Sequence, residues 1–199
     1  MKHNKNIIFI AGHRGMLGSA IYRFLKNKKN IIIKTATKEV LNLENYKATY
    51  NYLRKNKINQ VYMCAAKVGG ILANHNNPVD FLEKNTILEQ NIIKACFKNN
   101  INKLLLFGSS CIYPVKKKKI KEKDFLSGPL EKTNESYAVA KIFGIRLANS
   151  YVEQYPEKKL NYRTMMPCNL FGPNDNYDDK SSHVLAALIK KIIISKKKK

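Results

Sequence analysis

The chain of 199 residues contains no tryptophan and few cysteines, and none of its apolar runs is long. A membrane-spanning helix requires about 20 apolar residues, and the run at residues 7–11 is also too short for the core of a signal peptide. The scattered cysteines form no C-x-x-C pair, which excludes the usual zinc spacing and favours a reducing compartment. They are Cys64, Cys96, Cys111 and Cys168. We therefore expect a soluble cytoplasmic protein with no metal site and no membrane partner.

Acidic residues are also scarce, since 14 of them face 37 basic residues and leave a net charge of +23. Such a charge ordinarily points to nucleic acid or another anionic surface. Many of the lysines lie at predicted helix ends and in loops, and no helix-turn-helix, zinc or RNA-binding motif accompanies them. Richness in Ile, Asn and Lys is also what an adenine- and thymine-rich gene would encode. We interpret the charge as a solvated basic surface and expect no nucleic-acid partner.

Short apolar runs alternate with longer segments of helical period along the chain. The predicted strands are residues 6–11, 31–35, 60–65, 103–109 and 162–169. The predicted helices are residues 16–26, 46–54, 78–98, 135–155 and 185–194. This alternation predicts an α/β fold with a doubly wound parallel sheet, covered by helices on both faces.

The first predicted strand runs directly into a glycine-rich turn that opens a helix. The turn has the spacing G-x-x-G-x-x-G and consists of Gly12, His13, Arg14, Gly15, Met16, Leu17 and Gly18. Glycines let the backbone approach a pyrophosphate, whose charge then meets the positive end of the helix. An ordinary strand-to-helix turn is the alternative. The apolar strand before the turn and the amphipathic helix after it favour a dinucleotide-binding, Rossmann-like domain.

The end of the second predicted strand bears on the choice of cofactor. An NAD-binding chain usually has an acidic residue there for the ribose hydroxyls, whereas residues 34–38 read K-T-A-T-K. Arg14 and Lys38 are then available to a 2′-phosphate, which favours NADP(H). Lys38 is equally plausible as an ordinary surface lysine, so the prediction of NADP(H) depends mainly on Arg14.

Small residues and a lysine follow the third predicted strand. Ala65 and Ala66 would let the cofactor lie close over the strand end, although both are equally typical of a core. Lys67 begins a loop with Gly69 and Gly70 at the sheet edge where ligands of open α/β sheets bind. We expect this loop to form a wall of the active site.

Tyr137 and Lys141 lie four residues apart in a predicted helix and therefore on one face. A tyrosine hydroxyl ordinarily has a pKa of about 10, so ionising it near neutral pH requires about 4 kcal/mol, which a nearby ammonium helps to supply. Ser109 ends the fourth predicted strand at the same sheet edge. We predict a Ser-Tyr-Lys triad that exchanges protons with a carbonyl oxygen. The alternative is a partly buried aromatic residue beside a solvated lysine.

These motifs resemble the extended short-chain dehydrogenase/reductase family, and within it enzymes of GDP-linked 4-keto-6-deoxy sugars. The resemblance covers essentially the whole chain and is carried by residues 12–16, 65–70, 108–114, 129–141 and 166–173. It implies a homodimer that epimerises its substrate at C3 and C5 and then reduces it at C4 with NADPH. Another nucleotide-sugar epimerase or dehydratase of this fold, or a non-catalytic dinucleotide- or nucleic-acid-binding module, stays open as an alternative.

The resemblance also implies roles for individual residues. Cys111 and His183 would be the base and the acid of the epimerisation, although an inert thiol and a surface histidine are their ordinary interpretations. Tyr137 would donate a proton to the C4 oxygen, and Lys141 would also hold the nicotinamide ribose. Further cofactor contacts are implied at Pro167, Cys168, Asn169 and Leu170. Substrate contacts are implied at Lys67, Ser109, Ser110, Asn169, His183 and Lys191.

Members of this family continue well past residue 199, with a portion that closes over the nucleotide sugar. We assign residues 1–172 to the dinucleotide-binding domain and residues 173–199 to the start of a substrate-binding portion that is largely missing. The chain ends in four lysines, which an adenine run would encode, so our hypothesis is a frameshift or a fragment. The implied dimer would pair the helices at residues 81–98 and 137–155.

Overall fold

A computed structural model of the chain describes residues 5–115, 119–178 and 181–197. It contains a five-stranded sheet in which every neighbouring pair of strands is parallel. The strands are β1 (Asn6–Ala11), β2 (Ile31–Lys34), β3 (Gln60–Met63), β4 (Lys103–Phe107) and β5 (Asn161–Met165). Their order across the sheet is β2-β1-β3-β4-β5. β2 is added on one side of β1, and β3, β4 and β5 follow in turn on the other side, so the strand order reverses between β1 and β3. Ligands of open α/β sheets bind at such a switch point.

Helices cover the sheet as the apolar periodicity predicted, which confirms the doubly wound fold. In the described part of the chain they are α1 (Met16–Leu25), α2 (Tyr46–Lys55), α3 (Ile71–Asn76), α4 (Pro78–Lys98), α5 (Glu135–Gln154) and α6 (Val184–Lys197). The sequence did not predict α3, which is short and follows Gly70. β3, β4 and β5 each end earlier than predicted, because the chain leaves the sheet there and continues as a loop or turn. Two of the four terminal lysines, 198 and 199, lie outside the described residues.

The core lies on both faces of β1. Ile8, Phe9, Ile10 and Ala11 are each at most 1% exposed. Phe9 and Ala11 belong to the larger apolar cluster, which includes residues of α2, α4 and α5. Ile8 and Ile10 pack with Leu25 of α1 on the opposite face. A continuous apolar strand is typical of a parallel sheet that is buried on both sides.

Helix α4 carries buried polar residues on two of its faces. Asn85, Glu89 and Asn91 are all buried on α4, which packs against α2, α5 and the sheet. The Asn91 amide donates hydrogen bonds of 2.9 Å to the carbonyl oxygens of Leu43 and Glu44. Asn85 and Glu89 turn instead to the carboxyl edge of the sheet, where the candidate site lies.

Within the described ranges, no helix combines the length and the apolar character that crossing a membrane requires. The same residues contain no group of three or more His, Cys, Asp or Glu side chains arranged to hold a metal ion.

Candidate active site

A cleft of about 1560 Å³ opens at the carboxyl ends of β1, β3 and β4. Ligand pockets usually measure about 300–1,000 Å³, so this cleft has room for a dinucleotide and a second ligand. Its walls come from the turns that follow these three strands, from α5 and from the start of α6. The switch point predicted from the strand order is therefore a cavity.

The glycine turn between β1 and α1 is built around two backbone contacts. Gly12 has a φ of +77°, and a Cβ there would lie 2.6 Å from the Ala65 nitrogen. A Cβ on Gly18 would lie 2.2 Å from the Gly12 carbonyl oxygen. No side chain caps α1 at Gly15, and the first turn of α1 carries no acidic residue. The amino end of α1 therefore offers free N–H groups and a positive dipole to an anion in the cleft.

The cations predicted to hold a 2′-phosphate both lie beside carboxylates. Lys38 pairs with Glu44 at 2.9 Å, in an exposed contact. A hydrogen bond from Thr37 lowers the pKa of Glu39, and the charges of Arg14 and Lys38 lower it further. Burial, and then the charge of Arg14, lowers the pKa of His13. Sequence reasoning missed Glu39 and Glu44, and a 2′-phosphate must compete with Glu44 for Lys38.

Asn85 of α4 clamps the loop that follows β3. Its side-chain oxygen accepts a hydrogen bond from the Lys67 backbone N–H at 2.8 Å, and its amide donates to the Lys67 carbonyl oxygen at 3.0 Å. The Lys67 ammonium pairs with Asp80 at 2.5 Å and lies 5.4 Å from the centroid of the Phe81 ring. Lys67 thus lines the cleft, as do Ala65 and Ala66, but its charge is already partnered.

The turn after β4 presents Ser109, Ser110 and Cys111 to the cleft. Ser109 caps a short 3-10 helix, Ser110–Ile112, and its hydroxyl accepts a hydrogen bond from the Cys111 N–H at 3.3 Å. Ile112 is fully buried and anchors this turn to the core. The capping bond therefore fixes the spacing between the serine and the thiol.

Tyr137 and Lys141 line the same cleft from α5. The Lys141 Nζ lies 5.8 Å from the centroid of the half-buried Tyr137 ring, and the Phe81 ring meets Tyr137 edge-on. Burial, and then Cys111 and Glu89, raises the pKa of Tyr137 well above its ordinary value. That Lys141 draws the phenol toward ionisation stays a prediction. A phenol with a raised pKa is protonated near neutral pH, which is the state in which it can donate a proton.

Lys141 has a partner on α4, the carboxylate of Glu89. The two side chains, each 4% exposed, pair at 2.6 Å between the Lys141 Nζ and the Glu89 Oε1. Burial raises the pKa of the Glu89 carboxyl, and Lys141 opposes that rise. Sequence reasoning placed Glu89 in the mixed stripe of α4 but gave it no role. The available signals were an acidic residue in that stripe and a glycine, Gly144, one turn after Lys141.

The residues just before His183 contact the Gly69-Gly70 loop. The Gly70 N–H donates to the Ser181 carbonyl oxygen at 2.9 Å, and a Cβ on Gly70 would lie 2.6 Å from the Ser182 oxygen. The chain therefore passes close to Gly70 just before the exposed His183, which lines the cleft.

Residues 8–199 match the NAD dependent epimerase/dehydratase family. The chain belongs to this family. It is 48% identical to the GDP-L-fucose synthase of Escherichia coli over 189 residues, which are 94% of this chain and 58% of that relative. The chain therefore spans little more than half of the relative's length.

Two solved structures of similar proteins have the same fold. A GDP-L-fucose synthetase from Naegleria fowleri bound to NADP has a TM-score of 0.86 and 28% identity, covering 98% of this chain and 64% of that one. A GDP-D-glycero-L-gluco-heptose synthase from Campylobacter jejuni, solved in the presence of NADPH, has a TM-score of 0.85 and 34% identity. It covers 96% of this chain and 55% of that one.

The family fold brings most of the predicted site residues into one cleft. Pro167, Asn169, Leu170 and Lys191 line it together with the glycine turn, the triad, Cys111 and His183. Asn169 has a φ of +43°, which places it in a tight turn. Cys168 is exposed and is not part of the cleft lining in the described ranges.

Proposed function

We propose that the chain carries the cofactor-binding and catalytic part of an NADPH-dependent enzyme that converts GDP-4-keto-6-deoxy-D-mannose to GDP-L-fucose. The observation that carries the proposal is that Ser109, Cys111, Tyr137 and His183 line one cleft with the glycine turn. The E. coli relative at 48% identity is named GDP-L-fucose synthase, which supports the same substrate. Because the chain spans 58% of that relative, the activity is proposed for these residues together with the part of the relative that they do not cover.

The cleft fits a phosphorylated dinucleotide such as NADP(H). Gly12 and Gly18 hold the turn close enough for a pyrophosphate, and the uncapped amino end of α1 supplies N–H donors. Arg14, which lines the cleft, would face the 2′-phosphate, and Lys38 would join it after releasing Glu44. When bound, the reduced cofactor supplies the hydride that the C4 carbon accepts.

The side chains supply the proton transfers. The C3 and C5 protons of a 4-keto sugar are acidic because the resulting carbanion delocalises into the ketone. Cys111 and His183 would remove a proton at one face and return one at the other, so that each inversion leaves the atom count unchanged. Ser109 and the Tyr137 hydroxyl would stabilise the enolate oxygen by hydrogen bonds. On reduction, the Tyr137 proton moves to that oxygen and completes the alcohol.

We also place the enzyme in the cytoplasm as a homodimer formed through the outer faces of α4 and α5. Leu82 of α4 and Val139 of α5 are 38% and 41% exposed, which leaves apolar surface on both helices after they pack within the chain. Residues 1–172 and 173–199 stay our division into cofactor and substrate portions. Light scattering of the purified chain measures its mass, and a monomer at micromolar concentration would contradict the dimer.

The decisive experiment is NADPH oxidation by the purified chain with GDP-4-keto-6-deoxy-D-mannose, with the product sugar identified by NMR. A chimaera that adds the remaining part of the E. coli relative is assayed in parallel. Tyr137→Phe should lose at least about 100-fold in rate, because it removes the proton donor. Tyr22→Phe is the matched control, since Tyr22 lies on α1 and is 41% exposed.

Other outcomes identify the competing functions. A product that keeps its C3 and C5 configuration would point to another nucleotide-sugar enzyme. Salt-sensitive binding to random DNA without NADPH binding would favour a nucleic-acid-binding module. NADPH binding without turnover in either the chain or the chimaera would overturn the proposed reaction.

A further inference from the structure

An asparagine on the short helix α3 ties down the loop that contacts the residues before His183. Asn74 is 4% exposed, and its amide donates hydrogen bonds to the carbonyl oxygens of Gly69 and Gly70, at 2.8 and 3.1 Å. We propose that Asn74 is a positioning residue that fixes the Gly69-Gly70 loop and, through this loop, the place of His183 in the cleft. This inference rests on the proposed function, which gives His183 a proton transfer to the sugar.

The two amide hydrogens of Asn74 are both used by the loop. Within the described residues, its buried Oδ1 atom has no hydrogen-bond partner. Such an acceptor costs about 1–3 kcal/mol, which offsets much of the 0.5–1.5 kcal/mol or so that each of the two hydrogen bonds contributes. The net gain in stability is therefore small. What Asn74 supplies is a pair of donors that hold the backbone at Gly69 and Gly70, and an apolar side chain of the same size has none.

The Gly69-Gly70 loop lies against the chain that leads into His183. The Gly70 N–H donates to the Ser181 carbonyl oxygen at 2.9 Å. Gly70 has a φ of −65°, which any residue adopts, but a Cβ there would lie 2.6 Å from the Ser182 carbonyl oxygen. The close approach of the two segments therefore requires this glycine, and its own backbone conformation does not. A shift of the loop must displace Ser181 and Ser182 or break their contact with it.

Short-range hydrogen bonds link the residues on both sides of His183. The Ser181 N–H and hydroxyl both donate to the Asp178 Oδ1 atom, at 3.0 and 2.8 Å, and the Asn176 amide donates to the Ser181 hydroxyl at 2.9 Å. After His183, its carbonyl oxygen accepts a hydrogen bond of 3.0 Å from the Ala187 N–H in the first turn of α6. A displacement of Ser181 is therefore carried directly to the backbone of His183.

The first test uses NMR of the chain without substrate. Asn74→Leu removes both donors at nearly constant volume. We expect hydrogen exchange of the amide at position 70 to speed up at least about tenfold, the equivalent of one lost hydrogen bond. The His183 imidazole signals, assigned from their loss in His183→Asn, should shift, while those of His13 in the glycine turn stay in place. Unchanged His183 signals in a folded Asn74→Leu variant would overturn the proposal.

Asn99→Leu is the matched control. The Asn99 amide also donates to two carbonyl oxygens, those of Tyr50 and Ala95, at 3.2 and 2.9 Å. It lies at the end of α4, just before β4 begins, on the edge of the sheet opposite the cleft. This variant should lower the melting temperature without changing the exchange at position 70 or the His183 signals. An equal shift of His183 in Asn99→Leu would mean that loss of stability alone moves it, against the proposal.

Gly70→Ala tests the same link from the side of the loop, and it keeps the test decisive if Asn74→Leu does not fold. Its Cβ meets the Ser182 carbonyl oxygen and leaves Asn74 unchanged, so the His183 signals should shift again. Gly128→Ala is the control for this variant, because its Cβ would contact only the Pro114 side chain, at 3.2 and 3.3 Å. Parental His183 signals in a folded Gly70→Ala variant would contradict the loop as the route from Asn74 to His183.

The second test separates inversion from reduction, in the chain and in the chimaera. Inversion of GDP-4-keto-6-deoxy-D-mannose needs His183, whereas reduction of the already inverted 4-keto sugar does not. We expect Asn74→Leu to slow inversion at least about tenfold, as misplacement of a reacting group does, and to leave reduction of the inverted sugar within about twofold. In a His183→Asn background, Asn74→Leu should slow inversion no further, because both changes act on one group. Equal losses in the two reactions, or full additivity with His183→Asn, would overturn positioning through His183.

The two tests keep this inference separate from the proposed function. A chain and a chimaera that never turn over would overturn the proposed function. The NMR measurements need no substrate, and they would still decide whether Asn74 fixes the place of His183.

Discussion

The Gly12 carbonyl oxygen lies where a side chain at position 18 would have to begin, 2.2 Å from the ideal Cβ of Gly18. The end of β1 and the first turn of α1 therefore lie so close together that the backbone leaves no room for a side chain at position 18. Packing of the turn therefore requires these glycines whether or not a cofactor is bound.

We expect Gly18→Ala to destabilise the fold by about 1–3 kcal/mol, as overpacking of a well-packed site does, and to weaken NADPH binding at least tenfold. Gly15→Ala is the matched control for stability, because its Cβ would make only one ordinary contact of 3.5 Å. Denaturant unfolding and fluorescence titration with NADPH measure the two effects. Equal stability of the two variants would show that the turn relaxes around position 18.

The pair between Lys38 and Glu44 predicts how the chain discriminates between cofactors. The Lys38 side chain is 70% exposed, so Glu44 holds it only weakly. Glu44→Gln should free Lys38 and tighten NADPH binding about threefold relative to NADH, whereas Arg14→Met should weaken NADPH binding about tenfold or more. Lys103→Met, at the opposite end of β4, serves as the control. An unchanged NADPH-to-NADH ratio in Arg14→Met would contradict a 2′-phosphate site at the glycine turn.

The strands, the longer helices and the glycine turn were predictable because each is encoded by local pattern. Glu89, Asp80 and Asn85 were not, since a polar residue within a helical stripe looks the same whether it is buried or solvated. The partner of Glu89 is 52 positions away along the chain, and only the packing of α4 on α5 brings the two together. Helix α3 was missed because residues 71–76 are too few to show a period.

Asn85 is expected to affect the sugar site more than the cofactor site. It is 1% exposed, and its loss in Asn85→Ala would leave the Lys67 N–H and carbonyl groups without their partner. An unsatisfied buried group costs about 1–3 kcal/mol. We therefore expect lower stability and a several-fold higher KM for the sugar, with a smaller change in KM for NADPH. Asn91→Ala removes another buried amide of α4. This control tests whether a loss of stability alone raises the KM for the sugar.

Alkaline pH should destabilise the chain through Cys64, a half-buried thiol. Burial raises the pKa of Cys64 from its ordinary value of 9.0 to about 12, so the folded chain keeps a proton that the unfolded chain loses. The stability conferred by the protonated thiol is complete below about pH 9 and is lost as the pH rises toward 12. The slope is at most about 1.4 kcal/mol per pH unit. Urea unfolding of Cys64→Ala should show a shallower decline, and an identical decline would contradict this assignment.

The two halves of the proposed reaction should separate in different variants. Cys111→Ser keeps Tyr137 as proton donor but removes the thiol base, so solvent deuterium should no longer enter C3 and C5 at the parental rate. Tyr137→Phe should retain some of that exchange, since Cys111 and His183 are intact and Ser109 still stabilises the enolate oxygen, while NADPH oxidation is lost. Cys96→Ala, a change in the core, controls for loss of a thiol. NMR of the sugar after incubation in D₂O measures exchange. Equal loss of exchange and reduction in both variants would mean that Cys111 and Tyr137 act in one inseparable step, and the sequence of epimerisation before reduction would have to be abandoned.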